Sequence, residues 1–467
     1  MLYHLRMVES EYDICIIGGG INGAGIARDA SGRGLKVLLV EQGDFAGCTS
    51  SASSKMIHGG LRYLEFYDFG LVRKSLAERE VLMSIAPQIV WPLEFCIPHQ
   101  NSIRPAWMVR VGLFIYDYLW SRKKLPRSSG INLSRHKFGI GLKPQITKGF
   151  SYADCWVDDA RLVILNCLSA KENGATILNY TRCIGLKRSK SQEWSITLKD
   201  VKSEKEFKKE FKTRAKIVIN ATGPYAHEFL KNTNQLKNDT PALRLVQGTH
   251  IVVPKLYDGD HAYLLQLKDH RVVFVFPYGD YSMCGTTETD FFGDPIEASA
   301  TSTEKSYLCQ ALNTHFERQT TPQDIVWSFS GVRPLFEDNE TDVRKISRDY
   351  RLYQDRTGDA LLLSLFGGKI TTYRTLAEEV MEILRQDFPD IGNNWTGSKP
   401  LPCCPVEITK NSAPSEDDLK YFIEKEWARE EEDILYRRTK WGVHLPKEQL
   451  KETKILLNSL LEERDKS

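Results

Sequence analysis

The first ordered pattern in the chain is a short apolar run, Asp13-Ile14-Cys15-Ile16-Ile17, that passes directly into Gly18-Gly19-Gly20-Ile21-Asn22-Gly23-Ala24-Gly25 and then into the helix-compatible Ile26-Ala27-Arg28-Asp29-Ala30. Gly32 to Gly34 close that helix, and Leu35-Lys36-Val37-Leu38-Leu39-Val40 reads as a second buried strand ending at Glu41. One strand–helix–strand unit is therefore expected within the first stretch of sequence. The middle of the chain has a different texture. Thr249 to Pro254, Arg271 to Phe276 and Tyr281 to Cys284 are β-rich runs separated by turns, which predicts a second, largely antiparallel sheet. Lys199 to Arg214 reads as a solvated hairpin or loop. The strand Lys216 to Asn220 ends in Ala221-Thr222-Gly223, and Ala360 to Phe366 ends in Gly367-Gly368-Lys369 before helix-like text from Thr375 to Arg385. From Lys399 prolines give way to charged helical sequence, Glu416 to Ser467, which reads as a helical appendage.

Composition narrows the class. A chain of 467 residues suggests about three domains at ~150 residues each. With 41% hydrophobic and 27% charged residues it is ordinary globular protein, not a disordered or disulfide-scaffold chain. The 63 basic and 61 acidic residues balance to +2, so no global field favours nucleic acid and none is expected as a partner. Ten scattered cysteines without CxxC or Cys/His ligand spacing predict reduced thiols, an intracellular setting and no metal site. Met1 to Glu11 carries charge without an apolar stretch, which predicts neither signal peptide nor anchor and leaves Met7 as an alternative start.

The chemistry begins with Gly18-x-Gly20-x-x-Gly23. The first glycine permits a tight turn, the second lets backbone approach a pyrophosphate, and the third lets helix and strand pack closely. The helix start then offers amide N–H groups and partial positive charge to that pyrophosphate. The motif follows a strand, opens a helix, and is followed 21 residues after Gly20 by Glu41, where a carboxylate can accept from ribose hydroxyls. A dinucleotide is the expected ligand. The hydroxyl run Cys48-Thr49-Ser50-Ser51-Ala52-Ser53-Ser54-Lys55 offers donors to phosphate and flavin heteroatoms, or is simply a Ser-rich loop. Two further strand ends, at Thr222-Gly223 and at Gly367-Gly368 with Thr371 beyond, meet the first in one crevice, which favours a long ligand such as FAD.

Several longer motifs now point to a family. Ile17 to Gly34 with its glycine pattern, Ser53-Ser54-Lys55-x-Ile57-His58-Gly59-Gly60-Leu61-Arg62-Tyr63-Leu64, Cys155 to Arg161, Gly248 to Pro254, Ser330 to Leu335, and Gly367-Gly368-Lys369-x-x-Thr372-Tyr373-Arg374 closely resemble the FAD-dependent glycerol-3-phosphate dehydrogenases. The resemblance runs from about Tyr12 to Arg385. It implies oxidation of sn-glycerol 3-phosphate to dihydroxyacetone phosphate, with electrons passed through FAD to ubiquinone or menaquinone. It also implies peripheral attachment to the inner face of the plasma membrane, and leaves a homodimer open as the oligomeric state. The tail is similar around Asp418 to Tyr421 and Tyr436 to Lys440, but the stretch between Pro402 and Glu416 is shorter than is usual in the family.

The expected architecture is α/β. A Rossmann-like FAD-binding domain occupies 10–95, 150–240 and 355–398, with an inserted, mainly antiparallel substrate or cap domain at 96–149 and 241–354. A shortened C-terminal helical domain follows at 399–467. A dianionic phosphate on a secondary alcohol needs cations at one end and a proton acceptor at the carbinol. Arg62, Arg333 and Lys369 are the candidate cations, the arginines with planar forks suited to phosphate oxygens and the lysine as a compact point charge. His250 is the favoured base, with His58 nearby on the flavin side, Lys369 as a further base and Tyr63 orienting.

Trp107 to Trp120 is too short to span a bilayer, yet it is aromatic, aliphatic and followed by Arg122, Lys123, Lys124 and Arg127. That describes an interfacial helix on an anionic membrane, or a buried helix with a basic end. Three other functional readings stay open. These are transfer of electrons to O₂ as a glycerol-3-phosphate oxidase, an amine or amino-acid oxidase, and a silent flavoprotein that binds partners through its tail.

Overall fold

A computed structural model describes residues 10–100, 104–189, 192–202, 210–336, 349–408 and 412–466; the reading of the N-terminus falls mostly on 1–9, outside them. The first unit forms as its pattern predicts, with strand β1 (Glu11–Ile17), helix α1 (Ile21–Gly32) and strand β2 (Val37–Val40). The strands read as continuous apolar runs because β1 is covered on both faces. Ile14 and Ile16 face one cluster, which also holds Ile26, Ala27, Val163 and Val380, while Cys15 and Ile17 face another with Trp194, Leu198 and Leu230.

The first sheet runs in the order Tyr350–Asp355, Leu362–Gly367, Glu210–Asn220, β1, β2, Thr176–Leu178. Its four central pairings are parallel, with Ile17 opposite both Asn220 and Val40, and Asn220 opposite Ser364. That register brings the ends of three strands level, so Gly18, Ala221-Thr222 and Gly367-Gly368 meet at one edge, where open α/β sheets bind ligands. In the segment Lys199 to Arg214, expected as a solvated hairpin or loop, residues 203–209 lie outside the described ones, and its two ends pair antiparallel with Glu210 opposite Lys199.

The second sheet has ten strands and is antiparallel except where Ala262–Gln266 lies parallel to Val90–Pro98. The domain boundaries read from sequence shift here. Val90–Pro98 pairs along its length with Lys148–Val157, so both strands belong wholly to the second sheet, whereas Tyr350–Asp355 pairs back to Leu362–Gly367 in the first. Apolar strands look alike in either sheet, and only pairing assigns them. The C-terminal region from 416 folds around its own core of Leu419, Phe422, Ile434, Trp441 and Leu457.

Candidate active site

A cavity of about 1130 Å³ opens where the three strand ends meet and runs to the second sheet. At its floor Gly18 has φ +113, and a Cβ on Gly23 would lie 1.9 Å from the Gly18 carbonyl oxygen, so the turn and helix are in contact through bare backbone. Helix α1 has no side-chain cap of its own; Ser50 supplies one from outside, its Oγ accepting from the Ile21 N–H at 3.0 Å. Glu41 accepts from the Gly19 N–H at 2.7 Å and from the Gly43 N–H at 2.8 Å. Each carboxylate oxygen retains acceptor capacity for a hydroxyl. Its pKa is raised by burial against those hydrogen bonds. Gly20, Thr49, Thr222, Gly223, Gly367, Gly368 and Thr371 also line the cavity, as do Ser53 and Ser54. The glycine cradle, the helix start and an acceptor for ribose fit a dinucleotide along this floor.

Lys55 corrects the reading of the hydroxyl run. It is 1% exposed and points away from the cavity into an ion pair with Asp159 at 2.7 Å. Ser53 donates to the same carboxylate at 2.7 Å, and Thr49 to the Val332 carbonyl at 2.6 Å. Much of the Ser-rich segment thus anchors the loop that lines the cavity. A buried lysine must find a carboxylate, and the sequence does not show that Asp159 stands opposite.

At the second-sheet end the cavity is lined by Arg62, Tyr63, Arg333, Lys369 and His58, brought from three separate stretches of chain. The Lys369 ammonium lies 3.8 Å from the centre of the Tyr63 ring, and Arg333 donates to Thr286 Oγ1 at 3.1 Å. Arg62 is engaged by Glu288 at 3.4 Å, a carboxylate that the sequence reading missed. The spacing between Arg62 and Glu288 is too long for any motif to reveal. Glu65 and Arg104 form a further pair on the same wall.

The two histidines differ in access. His58 lines the cavity, and its backbone N–H faces Thr371 Oγ1 at 3.4 Å. Burial, opposed by Asp154 and reinforced by Lys369 and Arg79, pulls its imidazole down to about 4. His250 is fully buried behind Ser54, with Nε2 2.9 Å from Ser54 Oγ and its ring stacked on Phe329 at 4.8 Å. Burial first, then Arg333 and Lys55, holds it well below the usual histidine range. Among the described residues His250 does not itself line the cavity, and its strand register sets it across Gly285, where a Cβ would stand 2.1 Å from its ring.

Residues 13–374 match the model of the FAD dependent oxidoreductase family. Curated relatives align over nearly the whole chain. The glycerol-3-phosphate dehydrogenase of Pseudomonas aeruginosa is 45% identical, covering 94% of each chain, and the aerobic glycerol-3-phosphate dehydrogenase of Escherichia coli is 42% identical over 94% of this chain and 95% of its own. The chain belongs to the FAD-dependent glycerol-3-phosphate dehydrogenase family. Among members of its wider group, the D-erythritol 1-phosphate dehydrogenase of Brucella abortus is 42% identical over 94% of this chain and 96% of its own. The fold of the family is seen in the FAD-complexed glycerol-3-phosphate dehydrogenase of Bacillus halodurans, with a TM-score of 0.74 at 22% identity, covering 98% of this chain and 92% of that one. FAD is accordingly the cofactor of this dehydrogenase.

Proposed function

We propose that the protein oxidises sn-glycerol 3-phosphate to dihydroxyacetone phosphate and delivers the electrons to a membrane quinone. The observation that carries the reading is the convergence of Arg62, Arg333 and Lys369 at one end of a cavity whose other end is a dinucleotide cradle. A phosphate dianion needs that concentration of cations, and a neutral polyol or an amino acid does not. The relatives that share the chain end to end act on sugar-alcohol phosphates by name.

FAD supplies the hydride acceptor when bound. Arg333 and Lys369 hold the phosphate and so fix which carbon faces the flavin. The carbinol hydroxyl gives up its proton as the hydride leaves, and His58, neutral and lining the cavity, receives it at an imidazole nitrogen. Tyr63, beneath the Lys369 ammonium, keeps that cation in place. His250 acts through Ser54 and positions the hydroxyl loop.

Because His58 has its pKa near 4, it stays able to accept a proton across the neutral range and loses that capacity only as pH falls toward 4. The expected result is an acid limb of kcat that lies well below pH 6. His58→Asn should lower kcat by about 10² to 10⁴ with flavin content retained. A kcat within a few-fold of the parent, measured under saturating substrate, would rule His58 out as the acceptor.

The helix Ala106–Tyr118 supports membrane contact. Val109, Leu113 and Tyr116 are buried, while Trp107, Val111, Phe114 and Tyr118 form an exposed apolar stripe, Trp107 at 67%. A stripe of this kind on the outside of a helix, beside exposed Lys123, Lys124 and Arg127, suits the interface of an anionic bilayer. Arg122 drops out of the expected basic cluster, because its guanidinium is paired with buried Asp117 at 2.5 Å. No helix among the described residues is long and apolar enough to cross a membrane. Neutralising Lys123, Lys124 and Arg127 together should weaken binding to anionic liposomes by about 3 kcal/mol, at about 1 kcal/mol per residue. Unchanged co-flotation would refute the assignment, and with it attachment to the inner face of the plasma membrane.

The function is tested by the visible spectrum of the purified protein without oxygen, before and after sn-glycerol 3-phosphate. Bleaching by glycerol phosphate, and not by glycerol or an amino acid, is the expected outcome. A flavin band that no glycerol phosphate bleaches would remove the activity. Peroxide formed in air, with no acceleration by quinone, would reassign the enzyme as an oxidase.

A further inference from the structure

The loop that follows Glu41 is held from outside its own domain. Asp44, 4% exposed, lines the cavity and accepts from Arg437 Nε at 2.6 Å, Arg438 Nη1 at 2.5 Å and Arg438 Nη2 at 2.7 Å. Both arginines belong to the C-terminal region. Arg438 is fully buried and also donates to the Glu426 carbonyl at 2.6 Å. Arg437 continues to Asp433, and the buried Asp433 carboxylate accepts from the Tyr180 hydroxyl at 2.9 Å. Tyr180 lines the cavity in turn and donates its backbone N–H to the Gly43 carbonyl at 2.9 Å. A neighbouring contact runs in parallel, with Trp427 edge-on to Phe45 at 5.3 Å. Phe45 abuts the glycine turn, for a Cβ on Gly19 would stand 2.5 Å from it, and Ala46 donates to the Gly19 carbonyl at 3.1 Å. The chain of contact from the C-terminal region to the phosphate-binding turn is thus unbroken.

The C-terminal region also supplies cavity wall. Glu430, Glu432 and Arg437 line it beside Gln42, Tyr180 and Thr181. Carboxylates at this end would repel a diphosphate and can accept from amino and hydroxyl groups, so it is suited to the nucleoside half of the cofactor.

We propose that the C-terminal domain is a working part of the dinucleotide site, with Arg437 and Arg438 as positioning residues that hold the Asp44 loop closed over the adenosine end of FAD. The proposal rests on the reading that FAD lies along the glycine cradle with its ribose at Glu41. Docking of the domain and retention of FAD are then one coupled equilibrium, and each must favour the other by the same factor. The domain is more than a surface for partners, and its loss of grip empties the site from the adenosine end.

Coupling is reciprocal, so it can be read on the unaltered protein. Amide exchange is followed at 426–438 in holoenzyme and after removal of FAD, with the helix Ser302–His315 as reference. Exchange at 426–438 should quicken on FAD removal by about 5- to 150-fold, the usual span of such couplings, while the reference helix keeps its rate. Equal rates at 426–438 with and without FAD, or equal quickening of both segments, would overturn the proposal. Protein that never retains FAD would instead overturn the reading beneath it. In reconstitution titrations of the full chain, Arg437→Gln should raise the FAD dissociation constant by at least about 5-fold on the same scale, and Arg437→Lys should recover part of it. Excess FAD should restore turnover with the KM for glycerol phosphate unchanged. Parent-like FAD affinity in Arg437→Gln, or a Lys variant no better than Gln, would also overturn it.

Discussion

Arg333→Gln should lower kcat/KM for sn-glycerol 3-phosphate by roughly 30- to 4000-fold while the protein keeps its flavin and its melting temperature. Arg333 lines the cavity from a strand of the second sheet, with one guanidinium nitrogen donating to Thr286, and Lys369 and Tyr63 line the same cavity. Removing one partner from a desolvated charge pair costs about 2–5 kcal/mol. At about 1.4 kcal/mol per decade this is the stated range. The flavin should be unaffected, because the side chain stands at the substrate end and the cradle is built from other strands. Arg62→Gln should cost less than Arg333→Gln, since Glu288 already neutralises part of that cation and is itself released by the change. Steady-state kinetics with flavin content as denominator would check both. A loss below five-fold for Arg333→Gln would mean that the phosphate sits elsewhere.

Gly23→Ala should yield protein without FAD. The added methyl would lie 1.9 Å from the Gly18 carbonyl oxygen and 3.1 Å from its carbon, both backbone atoms at the floor of the cavity. Nothing there can rotate aside, so the helix must move off the turn. Inserting one methylene into a packed site already costs about 1–3 kcal/mol where side chains can yield. Here the displaced backbone forms the glycine turn and helix start at the cavity floor, and if these hold the cofactor as proposed, loss of FAD affinity should exceed about 100-fold, equivalent to about 3 kcal/mol. Gly112→Ala provides the contrast, because a Cβ there meets nothing within 4 Å and the residue sits in a helix. That change should be neutral or stabilise by up to about 1 kcal/mol. The ratio of visible flavin absorbance to protein absorbance, with a thermal melt, distinguishes the two. A Gly23→Ala protein that purifies with full flavin would show that the turn is looser than its contacts imply.

The two variants probe opposite ends of one cavity, and those ends were not equally visible in the chain. Gly18, Gly20, Gly23 and Glu41 are local. A tight turn, a close backbone approach and a strand end lie within one short stretch, so spacing alone carries their geometry. The parallel strands around them were legible for the same reason, as burial on both faces leaves a continuous apolar run. The cations of the substrate end come from three distant stretches. Arg62, Arg333 and Lys369 were found through the family motifs that contain them, and no periodicity links them.

What the amino-acid sequence by itself determined was the class of cofactor and the glycine turn between strand and helix, because those depend on backbone contacts among near neighbours. The tertiary structure alone decided which polar side chains face the cavity and which are spent within the protein. It sent Lys55 to Asp159, Arg122 to Asp117 and His250 behind Ser54, and it brought Glu288 to Arg62 and Arg438 to Asp44. Each of these is a charge or ring leaving water, and a buried polar group must find its partner wherever the fold places one. That partner is chosen by strand register and domain docking, which no local pattern in the chain records.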